Sequence, residues 1–144
     1  MRVHWIAALT ALALAGCGGE PLTHDEFVSE ADKICADYND KFAAARDSLT
    51  QDSTEEDRNA ALEEFARAYE DMANDVTDLE PPENDRAIAR YLDRLERNGR
   101  GFKEDADRGV LLTEQAGRRA TNSLMEARNL AEAAGLRECS TLDY

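Results

Sequence analysis

The sequence predicts an all-α protein, an antiparallel bundle of four helices or of three with one long broken helix. Three observations carry this. Helix-forming residues dominate, while aromatics make up 6% and prolines number three. Apolar residues recur at spacings of three and four. Capping and stop signals fall at the ends of those periodic stretches, and no period-two alternation marks a strand.

Each element follows in order. Helix one opens with Thr23 and Glu26 as a capping box, flanked by Leu22 and Phe27 as a hydrophobic staple. Its stripe is Phe27, Ala31, Ile34, Tyr38, Phe42, Ala45 and Leu49. Thr50-Gln51-Asp52 reads as a turn, and Ser53 with Glu56 as a second capping box. Helix two carries Leu62, Phe65, Tyr69, Met72, Val76 and Leu79, and ends before Pro81-Pro82. Helix three is expected just after those prolines, with Pro82 near its first position and a stripe of Ile88, Tyr91, Leu92, Leu95, Phe102 and Ala106. Gly99 and Gly101 interrupt it, either as a kink or where a neighbouring helix comes close, and Asp107-Arg108-Gly109 is the expected break. Helix four runs from about Leu112 to Ala134 on a small-residue face of Ala116, Ala120, Leu124, Ala127, Leu130, Ala131 and Ala134. Gly135 and Leu136 fit a helix stop.

The N-terminus reads differently. Arg2 is followed by an apolar run from Trp5 to Leu14, too short for the roughly 20 residues that span a bilayer and suited to a signal peptide. Leu14-Ala15-Gly16-Cys17 then resembles the lipobox of bacterial lipoproteins. That resemblance implies cleavage after residue 16 and a thioether lipid on Cys17, with palmitate among its acyl chains. The expected organisation is a signal peptide over 1–16, a lipidated tether over 17–22 and a helical domain over 23–144. The expected location is the extracytoplasmic face of the cell membrane, held there by the lipid.

With Cys17 acylated, Cys35 and Cys139 remain. An exported chain meets oxidising conditions, and in an up-down bundle the end of helix four lies near the start of helix one. One disulfide between Cys35 and Cys139 is therefore expected, closing a loop worth about 4–5 kcal/mol in the chain-entropy model. Two free thiols, one buried and one exposed, are the alternative.

Ala31-Asp32-Lys33-Ile34-Cys35, Leu79-Glu80-Pro81-Pro82 and Gly135-Leu136-Arg137-Glu138-Cys139 together resemble a group of small uncharacterised actinobacterial lipoproteins with an ADxIC start, an L-x-PP hinge and a GLxxC end. The likeness spans most of the mature chain. It implies a two-cysteine helical domain and an envelope location, and it implies no reaction.

Charge limits the partners. The chain has 17 basic residues against 31 acidic, a net −14. Losing residues 1–16 removes only Arg2 among the charged side chains, which leaves 16 against 31. Such a surface repels phosphate backbones, so nucleic acid is not an expected partner.

The search for chemistry yields little. His24 is the single histidine of the mature chain and is expected on the surface. Asp71, Asp75 and Asp78 share a helix face, most simply as a solvated one. Asp105, Asp107 and Glu114 loosely suggest a calcium loop, but Gly109 and Glu114 fall at the wrong positions. Glu-x-x-His pairs and a glycine-rich phosphate loop are both missing from the sequence, so no catalytic residue, metal or cofactor is expected. The expected role is non-catalytic: a binding or structural module anchored through Cys17 and contacting another envelope protein. A carrier with an apolar pocket lined by Tyr38, Phe42, Tyr69, Tyr91 and Phe102 is the alternative. A carboxylate-based hydrolase ranks last.

Overall fold

The computed structural model describes residues 21–142. The signal peptide over 1–16 and the lipid site at Cys17 lie outside the described residues. Four long helices, α1 (His24–Asp47), α2 (Glu55–Thr77), α3 (Arg86–Asp107) and α4 (Glu114–Ala133), are followed by a short α5 (Arg137–Ser140). The fold is all-helical, with four packed long helices rather than three.

The helix starts are set by local side chains. Thr23 accepts from the Glu26 N–H at 3.3 Å while the Glu26 carboxylate accepts from the Thr23 N–H at 2.9 Å, as expected. At α2 the capping box is one residue later than expected, on Thr54 and Asp57. Ser53 is already engaged, because its Oγ accepts from the Thr50 N–H at 2.8 Å and closes the turn. The start of α3 is also corrected: it lies at Arg86, not at Pro82. Asn84 takes a left-handed conformation (φ 63°), and the Asp85 carboxylate then accepts from the Ala87 and Ile88 N–H groups, both at 3.0 Å.

Two glycines stop helices as expected. Gly109 (φ 65°) ends α3, with Val110 donating to the Asp105 carbonyl at 3.0 Å. Gly135 (φ 81°) ends α4, with Leu136 donating to the Ala131 carbonyl at 2.9 Å.

Neighbours in sequence are neighbours in space and run antiparallel: α1 packs on α2, α2 on α3, and α3 on α4. The bundle is not closed by α1 on α4. Instead α5 stands between them and touches both. The core is built from Phe27, Ala31, Cys35, Tyr38 and Phe42 of α1; Tyr69, Met72 and Val76 of α2; Ile88, Tyr91, Leu95 and Phe102 of α3; and Ala131 of α4. The expected stripes are mostly right, with Leu49 the clear exception at 36% exposed. On α4 only Ala116, Ala127 and Ala131 are fully buried, and the larger Leu124 and Leu130 pack against the core from its margin.

Candidate functional site

The side of α3 turned toward α4 carries residues that a simple apolar seam would not. Arg94, Asn98, Gly101, Asp105 and Arg108 recur at helical spacing, and α4 sets Arg119, Ala120 and Ser123 opposite them. Together with Arg97 they frame a solvent-open groove of about 240 Å³. Asn98 and Asp105, 4% and 7% exposed, are the two buried polar residues of the described core.

Both are fixed from neighbouring helices. The Asn98 amide donates to the Tyr69 hydroxyl of α2 (3.2 Å) and to the Ser123 carbonyl of α4 (3.0 Å). Asp105 accepts from Arg108 at 2.7 Å and from Arg119 through both oxygens, at 3.0 and 2.8 Å. Burial raises the Asp105 carboxyl, but the hydrogen bonds from Arg119 and Arg108 outweigh it and hold the group below the ordinary carboxylate value. Arg94 pairs with Glu126, yet its buried Nε has no hydrogen-bond partner.

The two mid-helix glycines do different things. A Cβ on Gly99 would meet Ala73 Cβ and Glu70 Cα of α2 at 3.5 Å, so Gly99 marks the close approach that was one of its two expected roles. A Cβ on Gly101 would meet nothing within 4 Å. Gly101 costs helix stability without serving any packing, and the space it leaves opens into the groove.

Charge is divided across the bundle. α1 carries three Lys and Arg against seven Asp and Glu, and α2 two against eight. α3 carries six against five, and α4 three against three. The acidity of the whole chain is thus an acidity of α1, α2 and the 78–85 turn, while the α3–α4 face is balanced and rich in arginine.

The residues singled out in the sequence are not gathered into one site. His24 is exposed, as expected, but its Nδ1 lies 2.7 Å from Asp85 Oδ2, which ties the start of α1 to the cap of α3. The backbone bonds from Ile88, then the His24 ring, hold the Asp85 carboxyl below its ordinary value. Asp75 accepts from the Tyr38 hydroxyl at 2.7 Å, and Asp78 is the C-cap of α2. Burial, then Asp75, with Asp71 behind it, push the Tyr38 phenol well above its usual value. Asp105 turns into the α3–α4 seam, away from Glu114, which pairs with Arg118. Among the described residues no three His, Cys, Asp or Glu side chains converge as metal ligands would. The aromatics of the alternative carrier reading are packed among themselves or their neighbours: Tyr69 meets Phe102 edge-on with centroids 5.0 Å apart, Phe42 lies 5.1 Å from Phe65, and Tyr91 is 1% exposed.

Cys35 and Cys139 form the expected disulfide, with Cα atoms 5.1 Å apart. Both are buried, and the Tyr91 hydroxyl lies 3.8 Å from Cys35 Sγ, which has no proton and accepts. Asp32 stands beside the bridge and accepts the backbone N–H groups of Arg137, Glu138 and Cys139 at 3.0, 3.0 and 3.4 Å.

Compared with protein-family models, curated proteins and solved structures, the chain matches none. The functional reading therefore stands on the residues themselves.

Sequence reasoning missed the groove, Asp32 and α5. The available signal for the groove was the run of arginines at 94, 97 and 108 on a helix whose stripe is broken by Asn98 and Gly101. For Asp32 the available signal was its place in the ADxIC stretch.

Proposed function

We propose that this chain is a non-catalytic binding module of the cell envelope, tethered to the extracytoplasmic face of the membrane by a lipid on Cys17. The observation that carries the reading is the closed Cys35–Cys139 bridge, read with the lipobox at Leu14–Cys17. Buried structural disulfides form and persist in oxidising compartments, where export would deliver the protein. None of the described helices is long and apolar enough to cross a membrane, so membrane attachment falls to the lipid.

The chemistry supports binding over turnover. His24 is committed to Asp85, the central aspartate of the α2 face to Tyr38, and the aromatics to the core. The tether from Cys17 to Thr23 reaches at most about 20 Å. It holds the end of the bundle formed by the start of α1, the end of α2, the start of α3 and α5 toward the membrane, and turns the 48–54 and 108–113 connections away from it.

Fractionation of a bacterial host expressing the full chain tests this. Wild type is expected in the membrane fraction, released only by detergent, and Cys17→Ala in the soluble extracytoplasmic fraction. The intact mass should lack Trp5 with the leader and be two hydrogens below the reduced form. An unprocessed chain in the cytosol with both thiols free overturns the proposal.

A further inference from the structure

We infer that the end of the bundle away from the tether is the docking face of this module, and that it takes a basic, leucine-bearing segment of an envelope protein. The inference deepens the binding-module reading and takes its orientation from it. Among the described residues three large apolar side chains are exposed, Leu49, Leu112 and Met125. Two of them, Leu49 and Leu112, sit in the α1–α2 and α3–α4 connections, both at the end away from the tether. The first two turns of α2 stand between them: Leu112 shares an open depression with Glu55, Glu56 and Asn59, and Leu49 shares another with Asp52, Ala60 and Ala61.

The fold makes no use of either leucine. Thr113 caps α4, so Leu112 holds the position from which an apolar side chain staples a helix start. Leu22, at the same position of α1, is half-buried against the core that contains Phe27. The matching partner of Leu112 would be residue 117, a glycine, and a Cβ there would meet nothing within 4 Å. Leu112 is left 41% exposed, at the end of a Val110-Leu111-Leu112 run in a connection where polar residues are usual. Leu49 follows the Ser48 C-cap of α1 and lies outside the core.

Charge names the occupant. Among the described residues no cation or hydrogen-bond donor engages Asp52, Glu55 or Glu56. The nearby arginines are committed elsewhere, Arg46 to Asp47 and Arg58 to the Ser53 carbonyl. Leucines rimmed by unpaired carboxylates complement an apolar segment that carries Lys or Arg. A second copy would set the same carboxylates against themselves, in a chain of net charge −14. Anionic headgroups would be repelled in the same way. Leu22 donates its N–H to the Glu80 carbonyl at 3.1 Å, which pins the chain at the tethered end, and the leucines lie a helix length farther off, about 33 Å.

Fluorescence anisotropy of a fluorescein-labelled peptide of repeating Leu-Lys-Lys-Leu, with the purified full-length Cys17→Ala chain, provides the test. Saturable binding is expected, weakening as salt is raised. In that background Leu112→Ser should weaken binding about tenfold, the loss of one apolar anchor, with circular dichroism and thermal midpoint unchanged. Glu56→Lys should weaken it about as much. Met125→Ser, the third exposed apolar position, and Glu132→Lys, the same charge change at the end of α4, should leave it unchanged. Absence of saturable binding, or an equal loss in either control, overturns the inference. A dimer that Leu112→Ser dissolves assigns the face to a second copy, and sedimentation with anionic vesicles that Leu112→Ser abolishes assigns it to lipid; each also overturns it. Because peptide binding is read on purified protein without the lipid, its failure is separate from failure of the membrane fractionation.

Discussion

The carboxylate of Asp32 on α1 accepts the backbone N–H of Glu138 at 3.0 Å, from 106 residues away in the chain. Helix α5 has no side-chain cap of its own at Leu136; Asp32 supplies one from another helix and receives the N–H groups of Arg137 and Cys139 as well. Asp32→Ala should therefore destabilise the fold by about 1–2 kcal/mol, the range for loss of a helix cap. Asp32→Asn, which keeps an acceptor oxygen, should lose less. Urea unfolding at neutral pH measures both.

The bridge beside Asp32 is the larger contribution. Cys35 and Cys139 are separated by 104 positions, and a loop of that length removes about 4–5 kcal/mol of chain entropy from the unfolded state. The Cys35→Ala, Cys139→Ala double variant should lose an amount of that order, and the wild type should fall to the same level under reductant. Thermal melts with and without dithiothreitol check this, since the double variant should show no response to the reductant.

The two glycines of α3 predict opposite outcomes. Gly101→Ala adds a methyl group to open space and should stabilise the helix by about 0.5–1 kcal/mol. Gly99→Leu drives a large side chain into Ala73 and the α2 backbone and should cost about 1–3 kcal/mol through overpacking. Paired denaturation curves of the two variants give the comparison directly.

Asp105 makes stability depend on pH. Its folded-state value is depressed, so its contribution is present above the ordinary aspartate value of 3.8 and is lost as pH falls through the lower folded value. Wild type should be more stable than Asp105→Asn by about 1–2 kcal/mol at neutral pH, where the carboxylate accepts from Arg108 and Arg119. That advantage should shrink below about pH 4 and vanish once the carboxyl is protonated. Unfolding midpoints of the two proteins at pH 7, 4 and 2.5 test the sign, and a gap that widens toward acid contradicts it.

What the sequence made legible was what local chemistry decides. Thr23 and Glu26 are three residues apart and announce α1 on their own, and Gly109 and Gly135 announce the ends of α3 and α4. The α2 start was ambiguous because Ser53 and Thr54 each have an acidic residue three positions later; the choice falls to Thr54 because Ser53 is used by Thr50. The α3 start was misplaced because Pro82 is a sound first helical residue, and nothing local shows that Asn84 turns left-handed before Asp85 caps. Long-range partners were invisible. Asn98 and Asp105 look like interruptions of an apolar stripe, and only the proximity of Tyr69, Ser123 and Arg119 turns them into buried, satisfied groups. The groove belongs to two helices at once, so no single stretch of sequence contains it.

The position of the sulfur bridge also imposes an order of events. Cys35 belongs to the first helix and Cys139 to the last. A nascent chain emerging N-terminus first presents one thiol long before the other, so α2, α3 and α4, and then α5 as far as Cys139, must be synthesised before the lock can shut. A product truncated anywhere before residue 139 lacks the thiol that Cys35 pairs with in the folded protein. Oxidation of Cys35 and Cys139 together, their two electrons passing to an oxidant of the compartment, thus requires that translation ran through to α5.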